Sequence, residues 1–387
     1  MNQFHIIVIG GGGTGAAVLH DLTQRGFKAT LLERGELTSG TTGRHHGLLH
    51  SGGRYAVKDQ ESAIECIQEN LILRKIAPES MELNEGLFVA ITEEDESYAE
   101  AFLAGCEACG ISTHVLTPKQ ALDLEPNLNP HLRLAVQVPD GTIDAWRLPL
   151  HFFATAKHRG ADIRTYSEVI GFLKNAGIVG GVRVLDHKTN QEYDLKADIV
   201  VNASGAWAEK VTAMAEAEVP VRPSPGVMVA VQGRYHNMVL NRLHASGDGD
   251  IIVPQRNLSI IGTTSWIVED PDRPGLPEDH IQLMFKNGAE MVPAIKDAPF
   301  RAAWSAVRPL IGSKGADEGR ELSRTFKCFD HKERDNVEGL VTICGGKATT
   351  LRGMAETTVN VVCQKLGLDI PCRTKDEVLL PYRAYYN

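Results

Sequence analysis

Two stretches of this chain hold residues whose types and spacing could do chemistry. One is Gly10-x-Gly12-x-x-Gly15, close to the N-terminus. The other is the segment GRHHGLLHSGGRY, residues 43–55, where Arg44, His46, His50 and Arg54 are interleaved with Gly47, Gly52 and Gly53. Arginine offers planar paired donors that match carboxylates and phosphates. Histidine takes and gives protons near neutral pH. A segment with this side-chain chemistry and no helix or strand preference points to ligands more than to the fold.

The elements around the glycines give them meaning. Phe4 to Ile9 (FHIIVI) is a nearly continuous apolar run, as expected of a parallel strand buried on both faces. A helical pattern follows the glycines (Ala16, Val18, Leu19, Leu22) and stops at Gly26; a second strand, Lys28 to Leu32, ends in Glu33. Strand, glycine turn, helix and strand, with an acid 18 residues after the last glycine, form the full dinucleotide fingerprint. The first glycine makes the turn, the second admits a pyrophosphate, and the third packs helix on strand. Free N–H groups at the helix N-terminus face the phosphates. Glu33 is placed to accept from the adenosine ribose, which suits FAD or NAD and disfavours the 2′-phosphate of NADP.

Two later stretches decide for a flavin. Residues 197–208 read ADIVVNASGAWA, a buried strand running into small residues; near the C-terminus, GLVTICGGK (339–347) precedes a helical run from Arg352 to Leu366. A strand, a Gly-Gly turn and a helix start can set backbone N–H groups against a flavin ring. Nucleotide-binding pieces spread from end to end also differ from the compact Rossmann half of a plain NAD dehydrogenase.

The bulk numbers set the frame. A chain of 387 residues accommodates two domains, or one with an insertion. A net charge of -9 argues against a nucleic-acid partner while allowing a local basic pocket. Seven scattered cysteines read as reduced; Cys106 and Cys109 are the closest pair, expected on one helix face, so no metal site is assigned. No apolar run reaches the ~18 residues of a membrane span, and the N-terminus lacks the basic region of a secretory signal. The expectation is a cytoplasmic protein, with peripheral attachment at the inner face of the membrane left open.

Several segments together resemble the FAD-dependent glycerol-3-phosphate dehydrogenases, and among them the large catalytic subunit of the bacterial anaerobic enzyme, in the D-amino-acid-oxidase-like flavoprotein superfamily. They include IGGGGTGAAVLHDLTQRG, LLERGELTSGTTGRHHGLLHSGGRYAV, PDGTIDAWRL, ADIVVNASGAWA, SIIGTTS, AVRPL, DHKERD, GGKATTLRGMAE and the Leu-Ser-Arg at 322–324. The resemblance implies an α/β protein: a doubly wound Rossmann-type FAD domain (1–80, 140–212 and 325–372) with an inserted antiparallel-sheet substrate (cap) domain (81–139 and 213–324), then a tail, 373–387. It maps FAD contacts onto Gly10, Gly12, Gly15, Glu33, Arg34 and Ser39; onto Thr41, Thr42, Gly47, Leu48 and Leu49; and onto Val169, Ala203, Gly205, Gly346 and Lys347.

The implied reaction presents a carbinol hydrogen to the flavin N5 while a base takes the hydroxyl proton. Arg54, Arg308 and Arg324 stand in the substrate-facing motifs, and Lys347 is placed near flavin and substrate, where its charge suits the reduced ring. His50, Arg308 and Lys347 are the candidate catalytic residues, with His46 an alternative to His50; Trp207 is assigned to packing. The implied ligand is a small anionic alcohol. An amine, amino acid or 2-hydroxy acid substrate on the same fold is the alternative, and a flavoprotein scaffold without turnover a third. Relatives continue into a cysteine-rich C-terminal domain, whereas this sequence holds no cysteine beyond Cys372. The expected electron acceptor is therefore a quinone, oxygen or a partner subunit. Pro225-Gly226-Val227, Met228, Ala348 and Leu351 depart from the family pattern around the pocket.

Overall fold

The structure is a computed structural model that describes residues 4–312 and 325–387. The strand His5–Ile9 is buried from Ile6 onward and pairs in parallel with Lys28–Leu32 on one side and Ile199–Asn202 on the other. Covered on both faces and both edges, it needs the continuous apolar run seen in its sequence. Among the described residues the sheet runs Phe326–Asp330, Leu340–Gly345, Ile199–Asn202, His5–Ile9, Lys28–Leu32, Asp162–Arg164. Its pairings are parallel except for the edge hairpin of Phe326–Asp330 on Leu340–Gly345. Helix Gly13–Gln24 packs on it between helices Arg147–His158 and Leu351–Lys365. Ile6, Val8, Leu19, Leu22, Phe152 and Val359 fill the space between them. A three-stranded antiparallel sheet, Ser167–Asn175, Ile178–Asp186 and Gln191–Lys196, covers the other face.

A second large sheet is assembled from two excursions of the chain. Strands Gly86–Ala90, His114–Leu116 and Leu134–Val138 come from the first; Val221–Gln232, Val239–Arg242, Ile251–Gln255, Leu258–Gly262 and Phe300–Ile311 come from the second. Most neighbours are antiparallel, but Val239–Arg242 runs parallel to Gly86–Ala90. That pair is the seam between the two excursions, where no hairpin dictates direction.

The β-like run 227–231 lies within a longer strand, Val221–Gln232, which passes through Pro223 and Pro225. Both prolines pair with Phe300–Ile311 on one side. On the other side their carbonyls accept from Val268 N (3.0 Å) and Trp266 N (3.4 Å), outside the regular ladder with Leu258–Gly262. The missing N–H groups fall on this irregular side, where a proline is tolerated.

Candidate functional site

The C-terminal ends of strands His5–Ile9, Ile199–Asn202 and Leu340–Gly345 open into a cavity of about 570 Å³. This is where open α/β sheets bind ligands. At its nucleotide end Gly10 has φ +107°, and a Cβ on Gly15 would collide with the Gly10 carbonyl oxygen. A Cβ on Gly12 would project to 3.0 Å from Thr42 Oγ1, into space a ligand can use. Thr42 Oγ1 also accepts the Gly13 N–H at 2.9 Å. The Glu33 carboxylate accepts from Gly11 N (2.7 Å) and Gly35 N (2.8 Å), which fixes the acid at the cavity wall.

Arg34 lies over the Trp207 ring at 4.8 Å and pairs with Asp272 at 2.6 Å. Asp272 also accepts from Trp207 Nε1 (2.8 Å) and Lys210 Nζ (3.0 Å). These three donors hold its carboxyl down at about 2 in spite of partial burial. Pro271, Asp272 and Pro274 line the cavity, so a loop of the second sheet is latched across the nucleotide end. Trp207, expected to serve packing alone, is part of that latch.

The segment that looked unstructured is held through its backbone. Leu48–Leu49 forms a two-residue strand against Gly141–Ile143. His50 N donates to Thr349 Oγ1 (3.0 Å), His50 O accepts from Asn70 Nδ2 (3.0 Å), and Ser51 N donates to the buried Asp140 Oδ1 (2.6 Å). Arg74 Nε fixes Asn70 Oδ1 at 2.6 Å. With main-chain groups on both sides of the imidazole satisfied by other elements, the ring is left to the cavity it lines. It stands 6.4 Å from the His46 ring and 5.4 Å from the Tyr55 ring, and Lys347 Nζ lies 4.9 Å from Tyr55.

Electrostatics alters the sequence-based picture of His50. Burial lowers its pKa well below the ordinary value, and His46, Lys347 and Arg54 add to this. Burial, helped by His45, Arg308 and Arg54, lowers His46 to about 3. Both shifts favour the uncharged imidazole, away from the near-neutral titration that the sequence reading assumes for His50. Glu65 adds a further titratable group. One of its carboxylate oxygens is buried without a hydrogen-bond partner among the described residues. Burial raises its pKa to about 7, against the pull of Lys347.

Arg54 donates from Nη2 to Asp250 Oδ1 (2.7 Å) and Gly247 O (3.0 Å). Arg308 is held by the carbonyls of Ser224 (3.4 Å), Pro225 (3.3 Å) and Thr264 (3.0 Å) and by Thr263 Oγ1. The space that a Cβ on Gly226 would take is filled by Thr263 Oγ1, the Arg308 guanidinium and the Thr264 carbonyl oxygen. The glycine in Pro225-Gly226-Val227 is thus the opening through which Arg308 reaches the site.

Gly10, Gly12, Glu33, Arg34, Ser39 and Thr41 line the cavity, as do Thr42, Leu48, Val169, Ala203 and Gly205. At the other end Gly346 and Lys347 join His46, His50, Arg54 and Arg308. Gly15, Gly47 and Leu49 stand behind the wall. Gly15 serves the helix–strand contact, Gly47 (φ +89°) backs onto Ile143 and Gln255, and Leu49 is fully buried in the core. Arg324 lies outside the described residues. Sequence reasoning missed Tyr55, Asn70, Asp140, Asp250 and Asp272. Tyr55 could have been found by its place next to Arg54; the others act across long separations and leave no local signal.

Whether these residues fit FAD is decided by the cavity's own chemistry. One end has a glycine cradle at a helix N-terminus with a fixed acid beside it. The other has Gly345 (φ +83°) and Gly346 (φ +69°) leading through Lys347 into helix Leu351–Lys365. The first suits an adenosine diphosphate and the second an electron-rich ring. Fold and site define a flavoprotein oxidoreductase.

The model of the family "FAD dependent oxidoreductase" matches residues 5–360, and the chain belongs to that family, whose cofactor is FAD. It is 44% identical, over 97% of its length, to an anaerobic glycerol-3-phosphate dehydrogenase subunit of Haloferax volcanii. It is 41% identical over the same share to the corresponding anaerobic glycerol-3-phosphate dehydrogenase subunit of Escherichia coli K12. The chain spans 66% and 69% of the lengths of these two relatives. A solved structure of glycerol-3-phosphate dehydrogenase from Bacillus halodurans complexed with FAD superposes with a TM-score of 0.74 at 26% identity, covering 98% of this chain and 68% of that one. Among the described residues, no helix is long and apolar enough to cross a membrane.

Proposed function

We propose that this protein oxidises the secondary alcohol of sn-glycerol 3-phosphate, or of a closely related small anionic polyol, to the ketone. The observation that carries this reading is the meeting of Arg54, Arg308 and Lys347 around His50 and His46 at the flavin end of one cavity. A net charge of -9 makes such a cationic pocket a local feature, suited to an anionic substrate. The names borne by the two relatives at 44% and 41% identity support the same substrate.

In this reading FAD, when bound, would supply the hydride acceptor. The described residues of 1–80, 140–212 and 325–372 form the domain that holds it, and those of 81–139 and 213–324 form the cap. Gly10, Gly12, Glu33, Ser39, Thr41 and Thr42 serve the adenosine diphosphate; Leu48, Ala203, Gly205, Gly346 and Lys347 serve the ring. Arg54 and Arg308 orient the phosphate. His50 accepts the hydroxyl proton, and the bound phosphate supplies the negative charge that its cationic surroundings lack, raising its proton affinity when substrate is present. Lys347 balances charge on the reduced ring.

The relatives are named as subunits, which supports electron transfer to a partner subunit here too. Anaerobic mixing of the FAD-loaded protein with glycerol 3-phosphate, glycerol and amino acids tests the substrate. Bleaching of the flavin band by glycerol 3-phosphate is expected, and bleaching by an amine alone refutes the proposal.

A further inference from the structure

Arg54 enters the cavity from the turn Gly53–Tyr55, whereas its partner Asp250 stands just before strand Ile251–Gln255 in the other sheet. Both side chains are withdrawn from solvent, 10% and 3% exposed. Asp250 Oδ1 accepts from Arg54 Nη2 at 2.7 Å, and its Oδ2 accepts the Gly247 N–H at 2.7 Å. The Gly247 carbonyl turns back to the same Nη2 at 3.0 Å. One carboxylate thus folds its own loop around the guanidinium. On the loop's outer side, Asn287 Nδ2 of helix Glu278–Met291 holds Asp248 O at 2.6 Å. Ser246, next to Gly247, lines the cavity.

These acceptors all engage Nη2. The Nε and Nη1 donors of Arg54 have no protein acceptor among the described residues, and Arg54 lines the cavity. A planar guanidinium fixed at one nitrogen presents the others in a set direction. A free arginine gives up rotamer entropy each time it binds an anion, and a held one has already done so.

We propose that Asp250 is a positioning residue for the substrate's anionic group: with the 247–250 loop it holds Arg54 so that the remaining donors meet the anion. This rests on the reading of Arg54 as an anion-binding residue. Two effects of Asp250 oppose each other. Its negative charge offsets that of Arg54, so charge alone has anions binding tighter once Asp250 is neutralised. Its positioning has them binding more weakly.

The experiment uses the FAD-loaded full chain. Inorganic phosphate is titrated against the flavin spectrum, and kcat and KM are measured for glycerol 3-phosphate and for glycerol. Asp250→Asn should raise the phosphate Kd and the glycerol 3-phosphate KM about tenfold, the scale of one charge-assisted hydrogen bond. Its kcat and its kcat/KM for glycerol should stay within about twofold, a split that a general structural defect does not produce. Equal or tighter phosphate binding, equal losses on both alcohols, or a wild type that binds no phosphate overturns the proposal. If Asp250→Asn does not load FAD, Asn287→Ala decides, because it loosens the loop without touching Arg54; an unchanged phosphate Kd there overturns the proposal as well. Failure of the substrate reading is a different result: no bleaching by glycerol 3-phosphate in the wild type, with phosphate binding still dependent on Asp250.

Discussion

Lys347 Nζ lies 4.9 Å from the centre of the Tyr55 ring, and that ring lies 5.4 Å from His50. The three residues come from two separate stretches of chain and form one wall of the cavity. A cation held against an aromatic face keeps its charge in a set place. It follows that Lys347→Met lowers the rate of flavin reduction by substrate about a hundredfold, the scale of losing one fixed electrostatic contact to developing charge. Stopped-flow anaerobic reduction measures it, and an unchanged rate removes Lys347 from the reaction.

Arg308 is gripped by the carbonyls of residues 224, 225 and 264 in the space that Gly226 leaves. Arg308→Ala removes a charge-assisted donor, so KM for a phosphorylated substrate rises roughly ten- to hundredfold. Gly226→Ala crowds the same guanidinium together with Thr263 Oγ1 and the Thr264 carbonyl that hold it, and shifts KM in the same direction. Steady-state kinetics on both variants checks this; an effect in Arg308→Ala with none in Gly226→Ala contradicts the assigned path of the side chain.

If the assigned nucleotide end holds the cofactor, two separate acids are expected to govern FAD retention. Glu33→Ala takes away the acceptor that orders Gly11 and Gly35, and FAD is lost on dialysis. Asp272→Ala opens the latch to Arg34, Trp207 and Lys210. Those pairs are half-exposed and screened by salt. The variant therefore releases FAD faster than wild type at low ionic strength and at the same rate at high ionic strength. Trp207 fluorescence during release measures both, and equal rates at low salt contradict the latch.

His20 is fully buried, neither ring nitrogen has a hydrogen-bond partner among the described residues, and burial lowers its pKa to about 3. Between about 3 and 6.5 the unfolded chain binds a proton there that the folded chain does not. Its contribution is complete above 6.5 and is lost as pH falls toward 3. His20→Leu removes that term, about 1.4 kcal/mol per pH unit at most. Denaturant unfolding at about pH 7.5 and about pH 5, on either side of the ordinary histidine value, should show a smaller acid loss in the variant than in wild type; parallel losses contradict the assignment.

How much of this is legible in the sequence depends on sequence distance. Gly10, Gly12 and Glu33 act within one strand–helix–strand unit, so their spacing encodes their roles. Asp140, Asp250 and Asp272 act on backbone or side chains 89, 196 and 238 residues away, and an isolated acid carries no mark of such a partner. The downward shift of His50 is hidden for the same reason. It follows from burial and from His46, Lys347 and Arg54 being brought together, and only the fold brings Lys347 there. Gly47 and Leu49, which map to the cofactor along with the motif around them, stand off the cavity wall: Gly47 backs onto Gln255 and the Ile143 carbonyl, and Leu49 is buried in the core. The strand through Pro223 and Pro225 looks shorter in the sequence than it is, because the irregular side that tolerates proline is set by residues 266–268.

Oxidation of a small phosphorylated secondary alcohol in the cavity is tested most directly at the flavin itself. The FAD-loaded protein is mixed anaerobically with glycerol 3-phosphate, glycerol and a set of amino acids, and the flavin absorption band is followed. The account predicts rapid bleaching by glycerol 3-phosphate and little by glycerol or any amino acid. Bleaching by an amino acid with none by glycerol 3-phosphate would contradict it.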